Sequence, residues 1–224
     1  MFCGNIGSAG SVRTCMRTLS AVASAAVVAW SLAGLAWAET PCGPTLDSSL
    51  RPRTVLRIQS LPAGLEIVGT DQAAIHVSCT SSDEDEAQHI RIQFHGKQDD
   101  ETLTIKGNMH KGNNVKIRIE VPRKTSLRVE MSAGDVKVEE IEGDKDINLY
   151  AGQITISSTR PLDYRSVDVS VSIGSVNAPA YGAQKGGFFR SIRKKTADGE
   201  YSLHAHVMTG EIDLLGRSAN ATTD

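Results

Sequence analysis

Four stretches of this chain decide how it folds: VEMSAGDVKV (129–138), INLYAGQITI (147–156), VSVSIGSVNA (169–178) and AHVMTGEIDL (205–214). Each reads apolar, x, apolar, x, x, Gly, x, apolar, x, apolar. A two-residue apolar period marks a strand with one buried face. The fixed offset to Gly134, Gly152, Gly174 and Gly210 marks a corner, where the chain needs positive φ or close backbone approach. The inward positions are Val129, Met131, Val136 and Val138, and their counterparts in the other three stretches. The glycines are spaced 18, 22 and 36 residues apart, the last being twice the first.

A repeat of about 18–22 residues, with two short strands and a glycine corner, is the sequence form of a β-solenoid. Coils stacked about 4.8 Å apart place identical inward positions in aliphatic ladders, each coil lying on its neighbour. A β-sandwich of unrelated hairpins explains the alternation but not the constant offset to glycine. Upstream, alternation continues from Leu56 through Val121, with Ile75, Val77 and Cys79 and then Val115, Ile117 and Ile119 as clear inward series. Only the acidic stretch 81–88 suits a short helical turn or a solvated loop. The expectation is therefore an all-β, single-domain solenoid over residues 54–216, preceded by an extended leader (39–53) and followed by a flexible tail (217–224).

The N-terminus reads as an export signal. Arg13 and Arg17 precede an uncharged apolar run over 18–38 that closes on Ala36-Trp37-Ala38, an A-x-A cleavage pattern. Residues 1–38 are thus a signal peptide, with Met16 a more compact start than Met1. An uncleaved anchor is the alternative, since roughly 20 apolar residues span a bilayer. Either way the folded part lies outside the cytoplasm, in the periplasm, on the cell surface or secreted. Cys3 and Cys15 leave with the signal, so Cys42 and Cys79 remain, an even pair suited to one disulfide in an oxidising compartment. The other reading keeps Cys79 as a buried apolar residue and Cys42 free.

The 224 residues carry 24 basic and 26 acidic side chains. Removing the first 38 leaves 22 against 26, which argues against nucleic acid as a partner, because phosphate backbones demand an excess of Lys and Arg. Both tryptophans, Trp30 and Trp37, fall in the signal, so the domain core must be aliphatic.

The chain resembles the bacterial putative-adhesin domain of unknown function, a family of exported β-solenoids, which implies a right-handed β-solenoid (β-helix or β-roll). The resemblance rests on VKIRIEVP (115–122), TSLRVEMSAGDVKVEEIEGD (125–144) and GEYSLHAHVMTGEIDLLG (199–216). The chain departs from the glycine-acid corner at Gly152-Gln153 and Gly174-Ser175. What the resemblance implies is a fold and an envelope location, without an activity or functional residues.

No nucleophile elbow, P-loop, dinucleotide fingerprint or zinc-ligand spacing occurs. Glu139, Glu140, Glu142, Asp144 and Asp146 cluster at a corner but lack the spacing of calcium-binding repeats, so a solvated corner is the better reading. His204 and His206 share the outer face of one strand without an evident third metal ligand. No catalytic residue, metal or cofactor is assigned.

The distinctive insertion is YGAQKGGFFRSIRKK (181–195), where the glycine spacing doubles. Phe188 and Phe189 lie beside Arg190, Arg193, Lys194 and Lys195. Two readings are open: the preferred one lays the phenylalanines over an open solenoid end as a cap. The other makes these six residues a contact surface for an anionic lipid, a glycan or a partner protein. The function expected is a non-enzymatic envelope protein, adhesin-like or envelope-organising, with a glycan- or lipid-binding module as the alternative. Self-association through the solenoid ends is a further route to partners.

Overall fold

The computed structural model describes residues 39–97, 100–107 and 115–216. The signal-peptide and tail readings lie outside the described residues. Thirteen strands form one open sheet: β1 (Glu39–Pro41), β2 (Leu46–Ser49), β3 (Val55–Ser60), β4 (Ala63–Thr70), β5 (Ala74–Ser81), β6 (Arg91–Lys97), β7 (Asp100–Lys106), β8 (Val115–Pro122), β9 (Ser126–Glu139), β10 (Lys145–Thr159), β11 (Tyr164–Ala178), β12 (Ala183–Lys195) and β13 (Tyr201–Gly216). Among the described residues the only α-helix is α1 (Glu84–His89), in the acidic stretch. Its N-cap Asp83 accepts hydrogen bonds from the Asp85 and Glu86 amides.

The repeat motifs are the long strands β9, β10, β11 and β13. Each carries its glycine near the middle at φ between 123° and 147°. A straight 14-residue strand would run ~46 Å. Yet residues 140–144 alone link β9 to β10, which lie parallel and in register from Leu127↔Lys145 to Val138↔Ile156. So short a link cannot return the chain along a straight strand. The bend at glycine brings the two ends within its reach.

The glycines stack in a column: Gly134 pairs with Gly152, Gly152 with Gly210, and Gly210 with Gly174. A Cβ on Gly152 would overlap the Gly134 carbonyl oxygen, one on Gly210 the oxygen of Gly152, and one on Gly174 that of Gly210. Glycine is required here because the neighbouring backbone occupies the space of a side chain. Inward residues form matching ladders, such as Met131–Leu149–Val207–Val171 and Val136–Ile154–Ile212–Val176, and all are buried.

Two features differ from the sequence expectation. Strands do not stack in chain order, because β13 lies between β10 and β11 and β12 takes the edge. The reason is amphipathicity: β12 exposes every residue but Ala183 and Ile192, whereas β13 buries Leu203, Ala205, Val207, Ile212 and Leu214. Only β13 tolerates a neighbour on both sides and a core beneath it. The second difference is that the 181–195 insertion supplies a further corner glycine, Gly187, beside the four of the repeat. Gly187 pairs antiparallel with Gly174 at φ 115°, adding a fifth member to the column.

Toward the N-terminus the sheet forks. β3 pairs with the first half of β9 and β4 with the second half, so that β3 and β4, joined through Leu61-Pro62, match one bent strand. One arm continues β7, β6, β1 and the other β8, β5, β2. Inward residues of both arms, including Ile58, Leu103, Ile67 and Ile117, join a single core. Cys42 and Cys79 form a disulfide that fastens the segment between β1 and β2 to β5.

Candidate functional site

The corners that bury one ladder expose another. Of the large apolar side chains that remain exposed, five lie on the rungs flanking the glycine column: Tyr150, Ile173, Phe188, Phe189 and Met208. Ile173 pairs with Phe188 on one side and Thr209 on the other. Tyr150 and Met208 fall opposite each other, between the pairs Leu149↔Val207 and Ala151↔Thr209. These residues line the corner across β10, β13, β11 and β12 on two adjacent rungs, Tyr150 and Met208 on one and Ile173 and Phe188 on the next, the strands lying about 4.8 Å apart. Toward β7 the corner runs into an open groove of about 740 Å³ whose walls include Leu61, Ile105, Met131, Tyr150, His206 and Met208. A contiguous apolar stripe is the kind of surface that marks an interaction site.

At its far end the stripe meets the edge strand. β12 carries five cations, Lys185, Arg190, Arg193, Lys194 and Lys195, and no acid. Arg193 reaches Asp168 at 3.3 Å. Lys185 donates to the Ser191 carbonyl at 3.1 Å and Arg190 to that of Gly186 at 2.8 Å. None of these cations except Arg193 pairs with a carboxylate among the described residues.

The cap reading of the phenylalanines is corrected: Phe188 is 68% and Phe189 84% exposed, so neither covers the core. The strand itself does the capping. Its backbone pairs antiparallel along β11, and Ile192, opposite Val169, is its one fully buried side chain. Phe189 sits at φ 50°, a left-handed conformation that costs a bulky residue of order 1–3 kcal/mol.

Elsewhere polar groups are used structurally. The acidic corner is knitted into the fold: Glu140 meets Arg123 at 2.8 Å, Glu139 meets Lys137 at 2.8 Å, and Asp144 accepts from the Ser202 amide at 2.6 Å. His206 pairs with Ser170 at 3.0 Å. Among the described residues no three His, Cys, Asp or Glu side chains gather to hold a metal ion.

The residue that sequence reasoning passed over is Lys145. It occupies an inward rung whose partners are Leu127 and Leu203, with Val167 next in the ladder. Its Nζ donates to the carbonyls of Ile141 (2.9 Å) and Gly143 (3.1 Å) and to the Tyr164 hydroxyl (2.7 Å). All three protons thus find acceptors, as burial of an ammonium demands. Desolvation lowers its pKa to about 8, against the opposing pull of Asp144, Asp163 and Glu142, and burial also raises the Tyr164 phenol. Extending the repeat two residues upstream would have exposed the signal, a lysine aligned with Leu, Leu and Val.

No protein-family model and no curated protein matches the sequence. The fold is similar to the crystal structure of a putative cell adhesion protein from Clostridium sporogenes, at 13% identity and TM-score 0.52, covering 80% of this chain and 100% of that one. A putative adhesin from Bacteroides fragilis aligns over 77% of this chain and 96% of its own, at 10% identity, with a TM-score of 0.29 that is too low to indicate a shared fold. The Clostridium likeness, at so low an identity, is one of fold alone.

Proposed function

We propose that this chain is a non-enzymatic, exported envelope protein that uses a rigid β-solenoid as an adhesin-like or envelope-organising contact surface. The parallel register at an offset of 18 residues, the bend at each glycine and the five-residue return support a coil as the repeating unit, with β13 out of chain order. Export is supported by the A-x-A signal at Ala36-Trp37-Ala38 and by the Cys42–Cys79 disulfide, a bond favoured outside the reducing cytoplasm. Among the described residues no helix is long and apolar enough to cross a membrane.

The observation that carries the reading is the exposed apolar stripe ending at Phe188 and Phe189. Its aromatic members, with Tyr150, also favour the second reading, a glycan- or lipid-binding module. The test is the double variant Phe188→Ser/Phe189→Ser, compared with the native protein for co-sedimentation with isolated envelopes and for urea stability. Both side chains are exposed and serine fits the left-handed φ at position 189 at no greater cost than phenylalanine, so stability should fall by no more than ~0.5 kcal/mol while retention on envelopes is lost. Unchanged retention would remove the stripe from the function, and turnover of an envelope polysaccharide would overturn the non-enzymatic assignment.

A further inference from the structure

We infer that the β12 end of the stripe docks on a lipid bilayer bearing anionic headgroups, with Phe188 and Phe189 entering the acyl boundary. This rests on the contact-surface reading and names its partner. The first argument is charge complementarity: five cations and no acid lie on thirteen consecutive residues around the apolar tip. A basic rim around exposed phenylalanine is the composition that binds the interface of an anionic membrane. The same charge opposes a second copy of the chain, since pairing β12 with β12 would set like charges face to face.

The second argument is placement. Side chains alternate along a strand, so Arg190 and Lys194 project from one face and Arg193 and Lys195 from the other. A glycan stacked on one face engages only one of these pairs, and a protein strand added to this edge would have to bring acids on both of its faces. A fluid headgroup layer surrounds the tip and meets both. The third argument is chemical: behind the phenylalanines the stripe continues with Ile173 and Met208, whose aliphatic surface suits acyl chains better than sugar rings.

The experiment is sedimentation of the protein, as purified from the producing cell, with vesicles of phosphatidylcholine alone or mixed with phosphatidylglycerol. Binding is expected only to the mixed vesicles and should weaken with salt. Lys194→Gln/Lys195→Gln should partition about 30-fold more weakly, at about 1 kcal/mol per charge. No tryptophan follows Trp37, so Phe189→Trp adds a reporter whose difference emission from the native protein should shift blue on mixed vesicles and be quenched by brominated acyl chains. Equal binding to both vesicles, no binding to either, or an indole that bromine does not quench overturns the lipid assignment. If the native protein ignores both vesicles but binds immobilised envelope polysaccharide, and Phe188→Ser/Phe189→Ser abolishes that binding, the lipid is wrong and the contact surface stands. If the variant behaves as the native protein in every assay, the contact surface falls too.

Discussion

Gly152→Ala tests the central geometry of the fold. Gly152 sits at φ 129°, and an added Cβ would lie 2.8 Å from the carbonyl carbon of Gly134 and 3.1 Å from its amide nitrogen, while overlapping the carbonyl oxygen. Forcing an L side chain into that φ costs of order 1–3 kcal/mol. The overlap is with backbone in the middle of the sheet, so β10 must also move off β9, weakening one or two ladder hydrogen bonds at about 1 kcal/mol each. Together these give a loss of roughly 2–5 kcal/mol, a large part of a typical domain's stability. Two other glycines separate the contributions. Gly182 has φ 65° with nothing within 4 Å of its added Cβ, so Gly182→Ala isolates backbone strain at about 1–2 kcal/mol. Gly186 has open space and no positive φ, so Gly186→Ala should stay within ~0.5 kcal/mol of the native protein. Urea titration followed by far-ultraviolet circular dichroism ranks the series through the midpoint at constant m. A Gly152→Ala cost no greater than that of Gly182→Ala would refute the stacked column.

Lys145 makes stability depend on pH with a defined sign. Its folded pKa of about 8 lies below the usual lysine value, so between about pH 8 and 10.5 the unfolded chain binds the extra proton and stability rises with pH. Relative to Lys145→Met, the native protein should gain roughly 2 kcal/mol between about pH 7 and 9.5, short of the range where tyrosine ionises in the unfolded state. Parallel pH profiles for the two proteins would show that the ammonium is not buried as described. The Cys42–Cys79 disulfide spans a sequence separation of 37 residues. In the chain-entropy account, its removal as Cys42→Ser/Cys79→Ala costs about 4 kcal/mol, or roughly 10 °C in Tm. A calorimetric scan showing a shift of less than about 3 °C would mean that the β1–β2 segment is held by its strand pairing alone.

How much was readable in advance varies with the range of the interaction. Strand identity, inward faces and glycine corners follow from local constraints: alternation selects which side chains leave water, and the corner demands a residue without Cβ. The four motifs therefore declare Met131, Leu149, Val171 and Val207 as equivalent before any coordinates, and they share one ladder. The six-residue aromatic and basic cluster was equally visible as composition. Its role was not, because whether Phe188 covers a core or faces solvent depends on what lies next to β12. Lys145 escaped notice because a lysine reads as solvated unless its three acceptors, from Ile141, Gly143 and Tyr164, are known.

The order of strands belongs to the tertiary structure alone. Strands that share one apolar pattern around a common glycine offer nearly equivalent partners, so β10 can pair as well with β13 as with β11. The choice is made by burial: β12, cationic and almost wholly exposed, takes the edge, and β13, with five buried side chains, takes an inner place. That choice also sets Tyr150 beside Met208 and gathers Ile173 and the phenylalanines at the same corner, although 58 residues separate Tyr150 from Met208 along the chain. A pattern in sequence sets which faces are apolar. Only packing against a second strand determines where the leftover apolar surface collects.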